Sequence, residues 1–155
     1  QGFVDILLLT GYLGNFIQDY FNDGNKWGLQ IQYNQEPELL GTSGALKNAE
    51  SLLKNEFILV YGDSYLDIDY TDMVADYHKS DCYIDLAVLQ DIKKETDVTP
   101  NIIINRTNNL VHSYNKKSDN SYTHIDAGVM IVSKEVCKLI PSGISSLEND
   151  IFPKI

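Results

Sequence analysis

Basic residues are scarce in this chain. Only 12 Lys and Arg stand against 22 Asp and Glu over 155 residues, a formal net charge of -10. Such a surface repels a phosphate backbone, and no stretch gathers the Lys/Arg stripe that polynucleotide binding needs, which argues against a nucleic-acid partner. Long apolar runs are also missing. The longest, such as Ile6 to Leu9 and Phe57 to Tyr61, fall far short of a membrane span, so the expectation is a soluble, cytoplasmic protein without a membrane partner. Cysteine is limited to Cys82 and Cys137, too few and too far apart for a disulfide framework or a zinc site, and their apolar neighbours suit buried thiols. His78, His112 and His124 lie in different elements with no pair at metal-ligand spacing. No serine occupies a nucleophile elbow, and a Walker phosphate loop is absent.

What is present suits a globular α/β chain. With 43% hydrophobic and 22% charged residues there is enough material for one core but not for two full domains, so a single folding unit is expected. Val4 to Leu9 is continuous and apolar, as in a parallel strand covered on both faces. Phe16, Ile17, Tyr20 and Phe21 have helical spacing and end at the stop Asp23-Gly24. Leu29 to Tyr33 reads as a strand. A helix from about Ser43, capped by Thr42 or Ser43, puts Ala45, Leu46, Ala49, Leu52 and Leu53 on one face. Strands at Phe57 to Tyr61 and Tyr83 to Leu89 flank a short helix at Met73 to His78. Ile102 to Ile104 and Leu110 to Tyr114 read as a hairpin, followed by a strand at Ile125 to Val132 and a helix at Lys134 to Ile140 stopped by Pro141. Strand-helix alternation of this kind favours a three-layer, Rossmann-like sheet with its ligand at the carboxyl ends of the strands. Because Gln1 runs almost at once into a strand and Leu147 to Phe152 reads as a helix beginning, the chain is expected to be a fragment.

Two motifs carry chemistry. In Leu40-Gly41-Thr42-Ser43-Gly44-Ala45-Leu46, two glycines flank hydroxyl residues where a turn hands over to a helix, so that a ligand's anionic or planar group can approach the backbone; a plain glycine turn with an N-cap fits the same residues. Phe57 to Asp63 is an apolar strand ending in Gly-Asp, which delivers a carboxylate to the sheet's carboxyl edge. Asp63 suits a magnesium ion, which takes hard oxygen ligands from one or two carboxylates plus substrate phosphates; it also suits a turn cap. Asp67 and Asp69 are weaker metal candidates, since such acids are mostly solvated.

Glu36 through Leu46 followed by Phe57 through Asp63 resembles the core of the sugar nucleotidyltransferase family, in particular the members that make GDP-heptose or GDP-mannose. The resemblance implies a mixed sheet of the nucleotide-diphospho-sugar transferase type, with residues 1–155 a single domain lacking a Gly-rich loop before it and a C-terminal part after it. It implies that Glu36, Gly41, Thr42 and Gly44 line the base pocket. A carboxylate at Glu36 can accept hydrogen bonds from guanine's N1-H and exocyclic amine, whereas uracil and thymine offer one imide donor, which favours GTP. Val111 to Lys117 resembles the family strand whose lysine meets the sugar phosphate, which makes Lys117 the phosphate ligand, or Lys116 if the register slips by one. By the same match Gly128, in Ile125-Asp126-Ala127-Gly128-Val129, and Glu148 meet sugar hydroxyls; a strand bulge and a first-turn helix acid are their alternative roles.

The implied reaction joins a nucleoside triphosphate to a heptose or mannose 1-phosphate and releases pyrophosphate, with Mg2+ on Asp63 as cofactor, in nucleotide-sugar supply for lipopolysaccharide or capsule. A non-catalytic sugar-nucleotide-binding regulatory domain and a glycosyltransferase of the same fold are the alternatives. A homo-oligomer is compatible with either.

Overall fold

The structure is a computed structural model that describes residues 2–90, 98–115 and 121–155. The chain divides into two compact units, Gln1–Asn55 with Lys134–Ile155, and Glu56–Ser133.

In the first unit, β1 (Asp5–Thr10) and β2 (Gln30–Gln35) form a parallel pair in register from Asp5↔Gln30 to Thr10↔Gln35. A two-stranded ribbon cannot cover both faces of β1, so the strand expected to be fully covered is mostly half-buried, Thr10 excepted. Between them α1 (Gly14–Phe21) ends where Asn22 (φ 48°) and Gly24 (φ 84°) turn left-handed, at the predicted stop. Tyr33 of β2 donates its hydroxyl to the Asn22 carbonyl at 2.7 Å, tying helix end to strand. Next comes α2 (Gly41–Asn48). Leu46, Ala49, Val136, Cys137, Leu147 and Ile151, each at most 1% exposed, form this unit's buried apolar set. Each Leu, Ile or Val among them contributes about 1.5–3 kcal/mol when fully buried.

In the second unit β7 (Ile125–Ser133) runs antiparallel between β3 (Glu56–Val60) and β4 (Ile84–Leu89). Its Val129, Met130, Ile131 and Val132 are at most 2% exposed, which explains why that stretch is continuously apolar rather than alternating. The helix α3 (Tyr70–Tyr77) packs on β7. Hairpin strands β5 (Ile102–Ile104) and β6 (Val111–Tyr114) pair antiparallel.

Four local expectations are corrected. The helix α2 starts at Gly41 with Leu40 as its N-cap residue and no side-chain cap, so neither Thr42 nor Ser43 caps it; both hydroxyls face distant partners. Lys134–Lys138 is a short 3-10 turn rather than a helix to Ile140. Leu147–Ile151 forms a single π-helical turn. Cys137 is buried as expected, but Cys82 is only half-buried, lying in the loop before β4 with its Sγ 3.0 Å from the Ser80 hydroxyl.

Candidate active site

The glycine motif of the first unit is shaped by the loop 143–147. Gly41 sits at φ +77°, and a Cβ there would fall 2.5 Å from the Ser145 carbonyl oxygen. Only glycine meets both demands, a left-handed backbone and contact with another main chain. The same carbonyl accepts the amides of Ser43 and Gly44 at 3.2 and 3.3 Å, while Ser145 N donates to the Leu40 carbonyl at 2.8 Å. The backbone of residue 145 thus does what a side-chain cap does elsewhere. Of the first-turn donors, those of Gly41 and Thr42 have no partner among the described residues, so backbone recognition of a ligand narrows to these two amides.

Thr42 and Glu148, expected in different subsites, are in direct contact. The Thr42 hydroxyl donates to Glu148 Oε2 at 3.0 Å and accepts the Leu147 amide at 2.9 Å. Ser146 donates to the same Oε2 at 2.6 Å. Glu148 is only 4% exposed, and a carboxylate so deeply placed is tolerable only when hydrogen-bonded. Ser43 and Ser145 share a buried hydroxyl-hydroxyl bond of 2.8 Å. Gly44 packs edge-on against Gly143, whose carbonyl leaves no room for a Cβ.

Glu36 follows β2 and is half-buried. Its amide donates to the Thr10 carbonyl at 2.8 Å, and its Oε2 accepts the Leu40 amide at 3.1 Å. Its Oε1 lies over Gly11, where a Cβ would come within 2.6 Å. One carboxylate oxygen therefore fixes the loop that leads into Gly41, and Oε1 keeps its lone pairs for other donors.

In the second unit the residues Tyr61-Gly62-Asp63-Ser64 turn directly after β3, with Ser64 N donating to the Tyr61 carbonyl at 2.9 Å. Gly128 stands against this turn: Tyr61 N donates to its carbonyl at 2.9 Å, and a Cβ on Gly128 would collide with the Ser64 hydroxyl. Gly128 is left-handed (φ +71°) within a bulge, where three residues of β7 between Asp126 and Met130 oppose Ala87 alone on β4. The structure therefore sets Gly128 against the turn that carries Asp63. The Gly128 amide, expected to meet sugar hydroxyls, donates to Asp126 Oδ1 at 2.8 Å. Asp126 Oδ2 accepts the Tyr114 hydroxyl at 2.9 Å, and Asp126 N donates to Asn101 Oδ1 at 3.0 Å. Asp126 is the hub of this corner, a role that sequence reading missed; the signal was an acid two residues before a glycine within a strand, a local pattern in which the side chain closes on the backbone.

Asp63 is exposed, and its carboxylate has no partner among the described residues. No group of three His, Cys, Asp or Glu among those residues is arranged to hold a metal. A hard cation at Asp63 would thus draw one carboxylate from the described residues and take phosphate and water oxygens besides, a donor set that suits magnesium. Asp69 is committed elsewhere: it caps α3, accepting Thr71 N and Asp72 N at 2.8 and 3.3 Å, and these amides lower its pKa. Burial, aided by the negative charge of Asp76, raises the pKa of Asp85 on β4. His78 bonds Glu56 at 2.8 Å, and His124 Nδ1 meets the Thr123 hydroxyl at 2.9 Å; neither is near a metal constellation. Lys116 and Lys117 lie outside the described residues.

The mixed α/β architecture is that of the nucleotide-diphospho-sugar transferase fold. It overlays on the crystal structure of HddC from Yersinia pseudotuberculosis with a TM-score of 0.81 and 26% identity, covering 99% of this chain and 67% of that one. A second crystal structure of that protein, complexed with GMP-PN, overlays with a TM-score of 0.77, covering 96% of this chain and 64% of the other. The chain belongs to the nucleotidyl transferase family, whose model matches residues 1–122. The UTP–glucose-1-phosphate uridylyltransferase of Synechocystis sp. is 27% identical over 171 residues, aligned with 100% of this chain and 44% of its own. The D-glycero-alpha-D-manno-heptose 1-phosphate guanylyltransferase of Campylobacter jejuni is 30% identical over 136 residues, with 88% of this chain and 58% of its own. The chain spans about half the length of these curated relatives.

Proposed function

We propose that this protein is a sugar-1-phosphate nucleotidyltransferase that uses GTP and a heptose or mannose 1-phosphate, in the cytoplasm, in supply of lipopolysaccharide or capsule precursors. A phosphate oxygen of the sugar 1-phosphate attacks the α-phosphorus of the triphosphate in line. The new P–O bond forms as the bond to the β-phosphate oxygen breaks, and pyrophosphate leaves with its electron pair. No protein nucleophile is needed, so the chain's task is to bind and orient. Support comes from the family match, from the guanylyltransferases among its relatives and from the GMP-PN complex of the Yersinia protein.

The observation that carries the reading is Asp63, an exposed carboxylate without a protein partner among the described residues, at the end of β3 in a turn shaped by Gly128. Magnesium held by Asp63 and phosphate oxygens would offset the charge of the triphosphate and make its α-phosphorus more electrophilic. Glu36 presents Oε1 to the base while Oε2 holds Leu40, and the Gly41 and Thr42 amides are the remaining donors of that loop. Glu148 orders Thr42 through its Oε2 and is the residue assigned to the sugar hydroxyls. Lys117, or Lys116, meets the attacking phosphate. A glycosyltransferase reading would draw on Asp67-Ile68-Asp69 as its metal site, and the capping role of Asp69 counts against it.

The test is pyrophosphate release by the full-length protein with magnesium, each nucleoside triphosphate in turn, and mannose or heptose 1-phosphate. Release is expected with GTP and is expected to fall by at least about a hundredfold in Asp63→Asn, on the scale of removing one electrostatic stabiliser. Release with UTP in its place would move the base assignment to uracil. Tight binding of a GDP-sugar with no release under any condition would favour the regulatory domain.

A further inference from the structure

A second concave feature shares no lining residue with the Asp63 turn, although the His124 carbonyl accepts the amide of Asn101, a member of the Asp126 network. Gln90, just after β4, Ile104 of β5, Arg106 and Asn109 in the hairpin turn, and His124 ahead of β7 line an open surface depression of about 360 Å³. Four of these five side chains end in polar groups, and no carboxylate is among them, in a chain with 22 acidic residues. Arg106 is the sole arginine of the chain. The lysines 47, 54, 79 and 138 each pair with a carboxylate, whereas Arg106 has no such partner among the described residues.

The depression's walls are held in place. Asn105 accepts the Thr107 amide on its side chain at 3.0 Å and the Asn109 amide on its carbonyl at 2.8 Å, and Asn105 N donates to the Leu110 carbonyl at 2.8 Å. The turn bearing Arg106 and Asn109 is thus closed on itself, with Asn109 left-handed at φ 57°. His124 exchanges backbone bonds with Ile102, and its Nδ1 is held by Thr123, which leaves Nε2 as the free polar atom of the ring.

The geometry points to a binding site for the phosphoryl group of a small phosphate ester. A guanidinium presents a planar fork of donors that matches phosphate oxygens, and an imidazole and two carboxamides add three further donor groups around it. The volume lies at the lower end of small-molecule pockets and exceeds what a bare phosphate fills, and Ile104 offers the apolar wall that a carbon skeleton would meet. The site is separate from the catalytic reading above and stands without it.

The test is NMR of the imidazole resonances of the full chain, titrated with inorganic phosphate and separately with mannose 1-phosphate, at fixed pH and with chloride at matched ionic strength as control. Saturable shifts are expected at His124 with both probes and not at His78, which is paired with Glu56. Saturation at lower concentration by the ester assigns the site to esters, and equal saturation assigns it to the free anion. In R106Q, a change in an exposed turn, the apparent affinity is expected to fall roughly tenfold or more, the loss of one charge-assisted bond. The shifts are expected to persist in Asp63→Asn. No saturable shift, an equal response to chloride, or an R106Q variant that binds as well as the parent would overturn the assignment.

Discussion

Gly128 combines two constraints that act on one atom. A Cβ at this position would have to sit in a left-handed backbone and would strike Ser64, the residue next to Asp63. Each constraint costs about 1–3 kcal/mol. Gly128→Ala is therefore expected to destabilise the fold by roughly 2–4 kcal/mol in urea denaturation, and to lower turnover in the surviving folded fraction by moving the Asp63 turn. A variant with parental stability would show that the turn yields at no cost. The sequence made Gly128 legible as a special glycine, but not the reason. A ligand-facing amide and an amide closed onto Asp126 look alike until the side chain two residues earlier is seen to point back.

At the scale of elements, the docking of α2 onto the loop 143–147 is testable as a pair. Ser43→Ala leaves the Ser145 hydroxyl buried without its partner, and Ser145→Ala does the converse; each is expected to cost about 1–3 kcal/mol. The double variant removes both groups and is expected to cost clearly less than the sum, as a thermodynamic cycle from thermal or denaturant melts will measure. Strict additivity would mean that the two hydroxyls do not interact. Strands and helices were largely legible, because apolar periodicity is local: β3, β7 and the hairpin fall within a residue or two of expectation, and α3 ends at Tyr77 near the expected His78 but starts at Tyr70, ahead of the expected Met73. The start of α2 was not, because the group that satisfies its amides is a carbonyl about a hundred residues away, and no window of sequence contains both. The segment at Lys134 reads as a helix by composition, yet forms only a short turn before Pro141.

Across the whole molecule the dominant quantity is charge. A chain at -10 repels itself at neutral pH, and Asp85 carries that repulsion inward, since burial and Asp76 hold its pKa above the ordinary value. A carboxylate whose folded pKa is raised favours folding when protonated and opposes it when ionised, so its cost is full at neutral pH and disappears as pH falls below the ordinary carboxylate range. Asp85→Asn is therefore expected to raise the melting temperature at neutral pH, with the gap over the parent closing in acid. A gap that stays constant with pH would assign the effect to packing instead. The family was legible from two short motifs. The contact between Thr42 and Glu148 was not, since it forms only through the fold.

The bond between Thr42 and Glu148 spans 106 positions of chain. During synthesis the glycine turn leaves the ribosome long before the residues that shape it, and it cannot take this shape until Ser145 to Glu148 have followed. The motif that looks most self-contained in the sequence is thus among the last parts of its unit to be completed, and a nascent chain that ends before Ser145 carries its letters without its shape.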